Sequence, residues 1–189
     1  MILRRLGPLA AALSLQAALP AFAAAPVWSV DPAKSRLGFT ARQGGQLLEG
    51  SFARWRAEIR FDPADLAGSS VLVEVDLASL LSGDVNRDKQ AQAAEFFDSA
   101  RYPKGRYRTL AFEAKGDGLY EVAAELSLKG VTRPIRHPVR IEIADKRASA
   151  TGEVVLLRRE FGFGSGVFDS EQILGPEIVV RFRVEASRP

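Results

Sequence analysis

The chain of 189 residues contains no cysteine, a single histidine and a single methionine. The absence of thiols excludes disulfide bonds and thiolate metal sites, and His137 alone cannot build a histidine-rich metal site. A site made only of carboxylates is disfavoured, because the Asp and Glu residues are spread over turns and polar strand positions. We therefore expect no metal and no resident cofactor.

Catalytic motifs are also scarce. No Gly-x-Ser-x-Gly elbow occurs, and Gly164-Ser165-Gly166 lacks its spacing and is more typical of a flexible loop. No glycine-rich phosphate loop is followed by a helical pattern. The sequence therefore favours a protein that is not an enzyme.

The charge is nearly balanced, with 26 basic and 23 acidic residues. Two of the basic residues, Arg4 and Arg5, lie in a segment that we expect to be removed. The rest are interspersed with acidic residues and form no basic stripe, so a nucleic-acid partner is not expected.

Residues 1–23 have the pattern of an export signal. A basic start is followed by a run rich in Leu and Ala, and Ala21-Phe22-Ala23 matches the small-x-small cleavage pattern. The apolar run is too short for a membrane anchor and is interrupted by Pro8, Gln16 and Pro20. We predict cleavage after Ala23, a single exported domain over residues 24–189, and a periplasmic location.

Alternation of apolar and polar residues with a period of two predicts eight strands with one buried face. Turn signals such as Asp117-Gly118 separate them, so neighbouring strands should be antiparallel. Eight such strands are compatible with a sandwich or with a closed barrel. The segments are residues 37–41, 55–61, 71–77, 110–114 (Leu110, Phe112 and Ala114 inward), 120–128, 135–143, 150–158 and 178–184.

Two local features interrupt this pattern. Residues 87–94 lack β-branched side chains and are rich in Ala, Gln and charge, which predicts a short helix capped by Asp84 and covering one opening. Phe52 and Trp55 are three residues apart, so a β-bulge is required if both rings point inward.

Several motifs occur together in one order along the chain. They are Trp28-x-x-Asp31 with Ser35, Gly50-x-Phe52-x-x-Trp55, Ile59-x-Phe61-Asp62-Pro63, Arg87-Asp88, Phe96-Phe97-Asp98 with Tyr102-Pro103, Leu126-x-Leu128-Lys129-Gly130-Val131-Thr132-x-Pro134, and Arg158-x-x-Phe161-Gly162. In these motifs the chain resembles the YceI family of periplasmic polyisoprenoid-binding proteins. It departs from the family pattern at Lys34 and Gln90, where histidines are usual, and at Ala91, where Leu is usual.

The resemblance implies an all-β fold, an eight-stranded antiparallel lipocalin-like barrel, and a non-catalytic role in which an isoprenoid lipid or quinone is held inside for transport or storage. Ala91 is expected to widen one end of the cavity. The expected ligand-binding residues are Phe39, Phe52, Trp55, Val73, Arg87, Phe97, Phe112, Leu126, Leu128, Leu156, Arg158 and Phe161.

Two polar residues, Arg158 and His137, each have two possible roles. Arg158 shares the inward parity of its strand, so we expect its charge to be paired with an Asp or Glu such as Asp88, or to bind a ligand's polar head together with Arg87 at the mouth. His137 is expected near the barrel rim as a hydrogen-bonded structural residue, with a headgroup contact as the alternative.

Two other functions are kept as alternatives. One is a non-catalytic interaction module with a filled barrel, whose partner is a membrane respiratory protein. The other, less favoured, is a lipid-ester hydrolase, which would require His137, a Ser and an acid to converge. Transient contact with a membrane surface or membrane protein is compatible with the lipid-binding function.

Overall fold

The computed structural model describes residues 24–189, so the predicted export signal lies outside the described residues. The strands are β1 (Val27–Val30), β2 (Arg36–Gln43), β3 (Gln46–Phe52), β4 (Trp55–Arg60), β5 (Ser70–Asp76), β6 (Leu80–Leu81), β7 (Lys104–Gly116), β8 (Leu119–Leu128), β9 (Val131–Ala144), β10 (Arg147–Leu157) and β11 (Leu174–Ser187). One α-helix, α1 (Val85–Ala91), and 3-10 helices at Leu77–Ser79, Arg158–Phe161 and Gly166–Asp169 complete these elements.

These strands form one closed antiparallel barrel. β11 pairs with β10 on one edge and with both β2 and β1 on the other, and the pairing Ser29↔Ser187 closes the ring. Three of the barrel strands are each interrupted once, and they consist of β1 with β2, β3 with β4, and β5 with β6. Counted in this way, the barrel has eight strands. The predicted eight-stranded barrel is confirmed, and a sandwich is excluded.

The Phe52 and Trp55 spacing predicted a β-bulge, and the structure has an interruption of the strand between β3 and β4 at this place. The amides of Ala53 and Arg54 donate to the carbonyl and the hydroxyl of Ser79, both at 3.0 Å. Ser79 is itself buried. Its two hydrogen bonds therefore hold the irregular backbone in place where the regular hydrogen bonds between strands are missing. Both aromatic rings therefore face the barrel interior.

A β-bulge lies in β7. Thr109 and Ala111 pair with the adjacent residues Ala124 and Ala123 of β8, so Leu110 is the extra residue and its side chain is exposed. The expectation that Leu110 points inward is therefore wrong, because the bulge shifts the alternation by one residue.

The two ends of the barrel differ. At one end Trp28, Phe61 and Tyr120 form a buried aromatic cluster, in which the Trp28 Nε1 donates to the Phe61 carbonyl at 2.9 Å and the Phe61 and Tyr120 rings meet at 90°. At the other end α1 lies beside the opening. Asp84 caps this helix by accepting hydrogen bonds from the amides of Asn86 (2.9 Å) and Arg87 (3.0 Å), as predicted.

Candidate functional site

A cavity of about 320 Å³ lies inside the barrel. Its walls are the inward faces of the strands, and they are almost entirely apolar. The polar or charged side chains that reach it are Gln43, Ser82, Arg87, Gln90, Thr109 and His137, together with the phenol of Tyr107. Such a surface can shield a long hydrocarbon from water but offers few polar partners.

Ten of the twelve residues expected to bind a ligand line this cavity. Arg87, Gln90 and Ala91 of α1 contribute to the same wall, so the helix forms part of the site. The ten are Phe39, Phe52, Trp55, Val73, Arg87, Phe97, Phe112, Leu126, Leu128 and Leu156.

The aromatic rings near α1 form a continuous band. Phe39 and Phe52 lie 5.8 Å apart between ring centroids, Phe52 and Phe97 6.0 Å, and Phe97 and Phe163 4.9 Å. The band joins β2 and β3 to the segment after α1 and to the loop after β10. These separations are typical of packed aromatic pairs, so this part of the wall is firmly positioned.

The mouth of the cavity lies between α1, the β2–β3 hairpin and the loop before β11. A second pocket of about 430 Å³ opens there, and Gln43, Leu48 and Arg87 line both this pocket and the interior cavity. Arg87 forms no ion pair within residues 24–189. Its guanidinium is therefore placed to meet a polar group at the entrance.

Arg158 does not line the cavity, and the expected pairing with Asp88 is wrong. The guanidinium is fully buried and donates only to backbone carbonyls, at 2.9 to 3.2 Å. Asp88 instead accepts from the hydroxyl of Ser82 at 2.6 Å. The accepting carbonyls belong to Phe163, Gly164, Asp169, Leu174 and Gly175.

The error has a backbone cause. β10 ends at Leu157, and Arg158 begins a 3-10 helix that is closed by Gly162 at a φ of 68°. Because the strand ends before Arg158, the inward and outward alternation of β10 does not apply to this residue, and its side chain does not enter the cavity. Burial lowers the pKa of Arg158, with Arg159 acting in the same direction and Asp169 and Glu171 opposing it.

Phe161 is likewise absent from the lining. It is buried behind the wall, with its ring centroid 6.2 Å from that of Phe163, and Phe163 contacts the cavity in its place. Phe161 therefore supports a lining residue.

A polar pair inside the barrel was missed from the sequence. The Tyr107 hydroxyl lies 2.9 Å from Nε2 of His137, and Nδ1 of His137 lies 3.3 Å from the Pro138 carbonyl. Because a carbonyl can only accept, Nδ1 carries the proton and Nε2 accepts from the phenol. His137 therefore lies midway along β9 inside the barrel, and its expected position near the rim is wrong.

Packing explains how the two side chains meet. Ala124 of β8 lies on the strand between them, and its small side chain leaves room for the phenol to cross. Burial lowers the pKa of His137 and raises the pKa of Tyr107, so both are neutral near pH 7. The alternation signal could have found Tyr107 only if the bulge at Leu110 had been recognised.

Residues 24–189 contain neither a cluster of metal ligands nor a membrane-spanning helix. Among residues 24–189, no three His, Cys, Asp or Glu side chains are grouped as metal ligands. Nor is any helix in this range long and apolar enough to cross a membrane.

The family model of the YceI-like domain matches residues 28–186. The chain belongs to this family. Among the solved structures, BcnA of Burkholderia cenocepacia superposes with a TM-score of 0.81 at 28% identity, over 84% of this chain and 100% of BcnA. The fold and the family implied by the sequence motifs are therefore confirmed.

Other YceI-like relatives are more distant or match over less of their length. A UPF0312 protein of Vibrio cholerae serotype O1 is 38% identical over 92 residues, which is 49% of each protein, so the match spans about half of that curated relative. A polyisoprenoid binding domain from Saccharophagus degradans, implicated in plant cell wall breakdown, has a TM-score of 0.69 at 17% identity, over 87% of this chain and 99% of that domain. At that identity the likeness concerns the fold alone.

Proposed function

We propose that this protein binds one extended isoprenoid lipid, either polyprenyl or quinone-like, inside its barrel and carries or stores it in the periplasm without chemical change. The apolar cavity supports the proposal, since its volume of about 320 Å³ lies within the usual range for ligand sites, roughly 300 to 1,000 Å³. The name of the Saccharophagus domain, which has the same fold, points to the same ligand class.

The physics of transfer favours reversible binding. Burying a methylene group from water is worth about 0.8 kcal/mol, so a long tail held in the cavity strongly disfavours release into water. A bilayer solvates the same tail nearly as well as the barrel does, so exchange between barrel and membrane is close to balanced. Such a protein suits carriage or storage.

The polar end of the ligand is assigned to the mouth. Arg87 lies there without an ion pair in the described part of the chain, and it can hydrogen-bond a head that stays hydrated. The other nine lining residues from the sequence would contact the tail, and Arg158 and Phe161 would hold the wall from behind.

The cavity also separates this function from its alternatives. An interaction module with a filled barrel would not need an interior space of this size. A hydrolase would need His137 to activate a serine, but the hydrogen-bond partners of His137 are the Tyr107 hydroxyl and the Pro138 carbonyl.

Native mass spectrometry of the protein purified without detergent provides the test. We expect a fraction of molecules to carry an added mass that extraction identifies as an isoprenoid lipid, and stripped protein to retain added ubiquinone through gel filtration. A Leu126→Glu variant, with a carboxylate in the cavity, should lose this retention. Lipid-free protein that retains no ubiquinone would contradict the proposal.

A further inference from the structure

Exposed aliphatic side chains surround the mouth of the cavity. Leu47 of β3 is 59% exposed, Val85 at the start of α1 is 69% exposed, and Ile173 before β11 is 40% exposed. Single exposed aliphatic residues are common on any protein surface. These three belong to separate segments that meet at one opening.

One hydrogen bond and a shared pocket place the three segments together. Leu47 and Ile173 both line the mouth pocket together with Arg87, which belongs to the first turns of α1 as Val85 does. The amide of Gly44, at the tip of the β2–β3 hairpin, donates to the Ile173 carbonyl at 2.9 Å. We call Leu47, Val85 and Ile173 the mouth rim.

The basic and acidic side chains around the mouth rim differ in the contacts that they form. Arg42, which pairs with Leu47 across the hairpin, and Arg87 and Lys89 of α1 form no ion pair within residues 24–189. Asp84 and Asp88 accept hydrogen bonds from neutral groups, the first amides of α1 and the hydroxyl of Ser82, and both carboxylates keep their charge.

The remaining acidic groups near the opening form no ion pair with Arg42, Arg87 or Lys89 within residues 24–189. Asp169 and Glu171 both face Arg159, at 3.0 and 3.6 Å. Glu49, which is exposed, lies two residues further from the hairpin tip than Leu47. Arg42, Arg87 and Lys89 therefore lie among the aliphatic side chains of the opening without an ion pair in residues 24–189.

We infer that the mouth rim docks on the surface of an anionic phospholipid bilayer, with the cavity opening toward the lipid. Aliphatic side chains enter the interface while Arg42 and Lys89 meet lipid phosphates. The inference rests on the proposed function, because a tail that passes directly between bilayer and barrel never exposes its methylene groups to water.

Flotation with vesicles of phosphatidylcholine plus phosphatidylglycerol tests the docking. The variant Leu47→Ser with Val85→Ser should bind these vesicles roughly tenfold more weakly than the unaltered protein, because less apolar surface enters the interface. The matched control is Leu110→Ser with Val155→Ser, which removes one Leu and one Val that are 52% and 53% exposed on the outer wall. The control should bind as the unaltered protein does.

The charge contribution is measured separately. Arg42→Gln with Lys89→Gln should weaken binding to the mixed vesicles and abolish the preference over phosphatidylcholine alone. Retention of ubiquinone in solution, measured for every variant, reports the cavity independently.

Normal ubiquinone retention with lost docking in the rim variant supports the inference. Equal docking by the rim variant and the outer-wall control overturns it, whatever the cavity does. Docking that depends on the rim in a protein that never retains ubiquinone would overturn the proposed function and leave the docking surface standing.

Discussion

Arg158 shows how a buried charge can serve structure without a charged partner. Its five N–H groups point at carbonyls of the loop after β10 and of the first two residues of β11, so one side chain connects the backbone segments beside the mouth. Gly164 passes so close to Nη1 of Arg158 that a Cβ there would lie 2.8 Å from it. The sequence placed this arginine inside the fold, but parity alone could not show whether carbonyls or a carboxylate receive it.

Replacement of Arg158 by Met should destabilise the fold. The substitution keeps much of the buried volume but leaves several carbonyls without donors, and we expect a loss of about 3 kcal/mol in the free energy of unfolding. Urea denaturation measures it. Arg159→Met, which removes a half-exposed guanidinium paired with Asp169 and Glu171, should cost no more than about 1 kcal/mol. Equal losses in the two variants would rule out the carbonyl network as the cause.

The buried histidine makes stability depend on pH. Burial lowers the pKa of His137 below its ordinary value of 6.5, while the bond to Pro138 and the charge of Glu121 oppose the shift. The unfolded chain therefore binds a proton at a higher pH than the folded chain does. The contribution of His137 to stability is complete above pH 6.5 and falls as the pH drops from 6.5 toward the lowered pKa.

Comparison with His137→Gln isolates this contribution. The amide can still meet the Tyr107 hydroxyl but does not titrate. The difference in unfolding free energy between the two proteins should shrink below pH 6.5, with a slope of at most about 1.4 kcal/mol per pH unit for one proton. Unfolding curves collected from pH 7.5 down to about 5 supply the measurement. A difference that does not change with pH would show that His137 is not held neutral by the fold.

At the scale of the strands, two glycines leave space for aromatic rings that pack directly against the backbone. Gly50 of β3 pairs with Phe39 of β2, and Gly152 of β10 pairs with Phe182 of β11. In both cases a Cβ on the glycine would collide with the neighbouring ring. Each ring therefore lies flat over a glycine instead of standing in the cavity.

Gly50→Ala should move the Phe39 ring into the cavity. We expect a cost of about 1 to 3 kcal/mol from overpacking, together with roughly tenfold weaker retention of ubiquinone. Thermal unfolding and gel filtration with ubiquinone measure the two effects. Ser51→Ala, on the outer face of the same strand, is the control and should change neither. Unaltered retention in Gly50→Ala would mean that the position of Phe39 does not limit the cavity.

The same scale shows what the sequence could predict. Alternation located all eight strands of the barrel, because each is long enough for several inward side chains. The Phe52–Trp55 spacing indicated an irregularity, which the structure has as an interrupted strand. Alternation missed β1 and β6, which have only four and two residues, it missed β3, whose residues do not alternate regularly, and it began β7 six residues late. The predicted segment 110–114 therefore did not include Tyr107. The extra residue at Leu110 also places Tyr107 and Phe112 on the same face of β7, although an odd number of positions separates them.

For the whole molecule, the function depends on whether the barrel encloses a cavity or is filled by its own side chains. Alternation gives the same inward apolar faces in either case, because a filled barrel and a hollow one bury the same side chains. The volume left inside depends on how much space Phe39, Phe97, Phe163 and Phe182 leave once their rings have packed, which no local pattern records. The alternation pattern therefore could not predict the volume of the cavity.

Filling that space should separate stability from binding. Ala57 of β4 points into the cavity, so a Phe at this position occupies existing space and should leave the stability of the empty protein unchanged or slightly raised. Ubiquinone at about one hundred times its dissociation constant should stabilise the unaltered protein by about 2.7 kcal/mol. The same addition should give no measurable stabilisation of Ala57→Phe.

Ala111→Phe provides the matched control, since Ala111 is exposed and paired with Ala123 outside the cavity. Its melting temperature should rise with ubiquinone as that of the unaltered protein does. Should Ala57→Phe respond to ubiquinone as fully as Ala111→Phe, the ligand would have to bind elsewhere on the molecule, and the hollow barrel would be only a loosely packed core. A response confined to the proteins with an open cavity would instead tie the added stability to occupation of the barrel, because a ligand stabilises only the state that binds it.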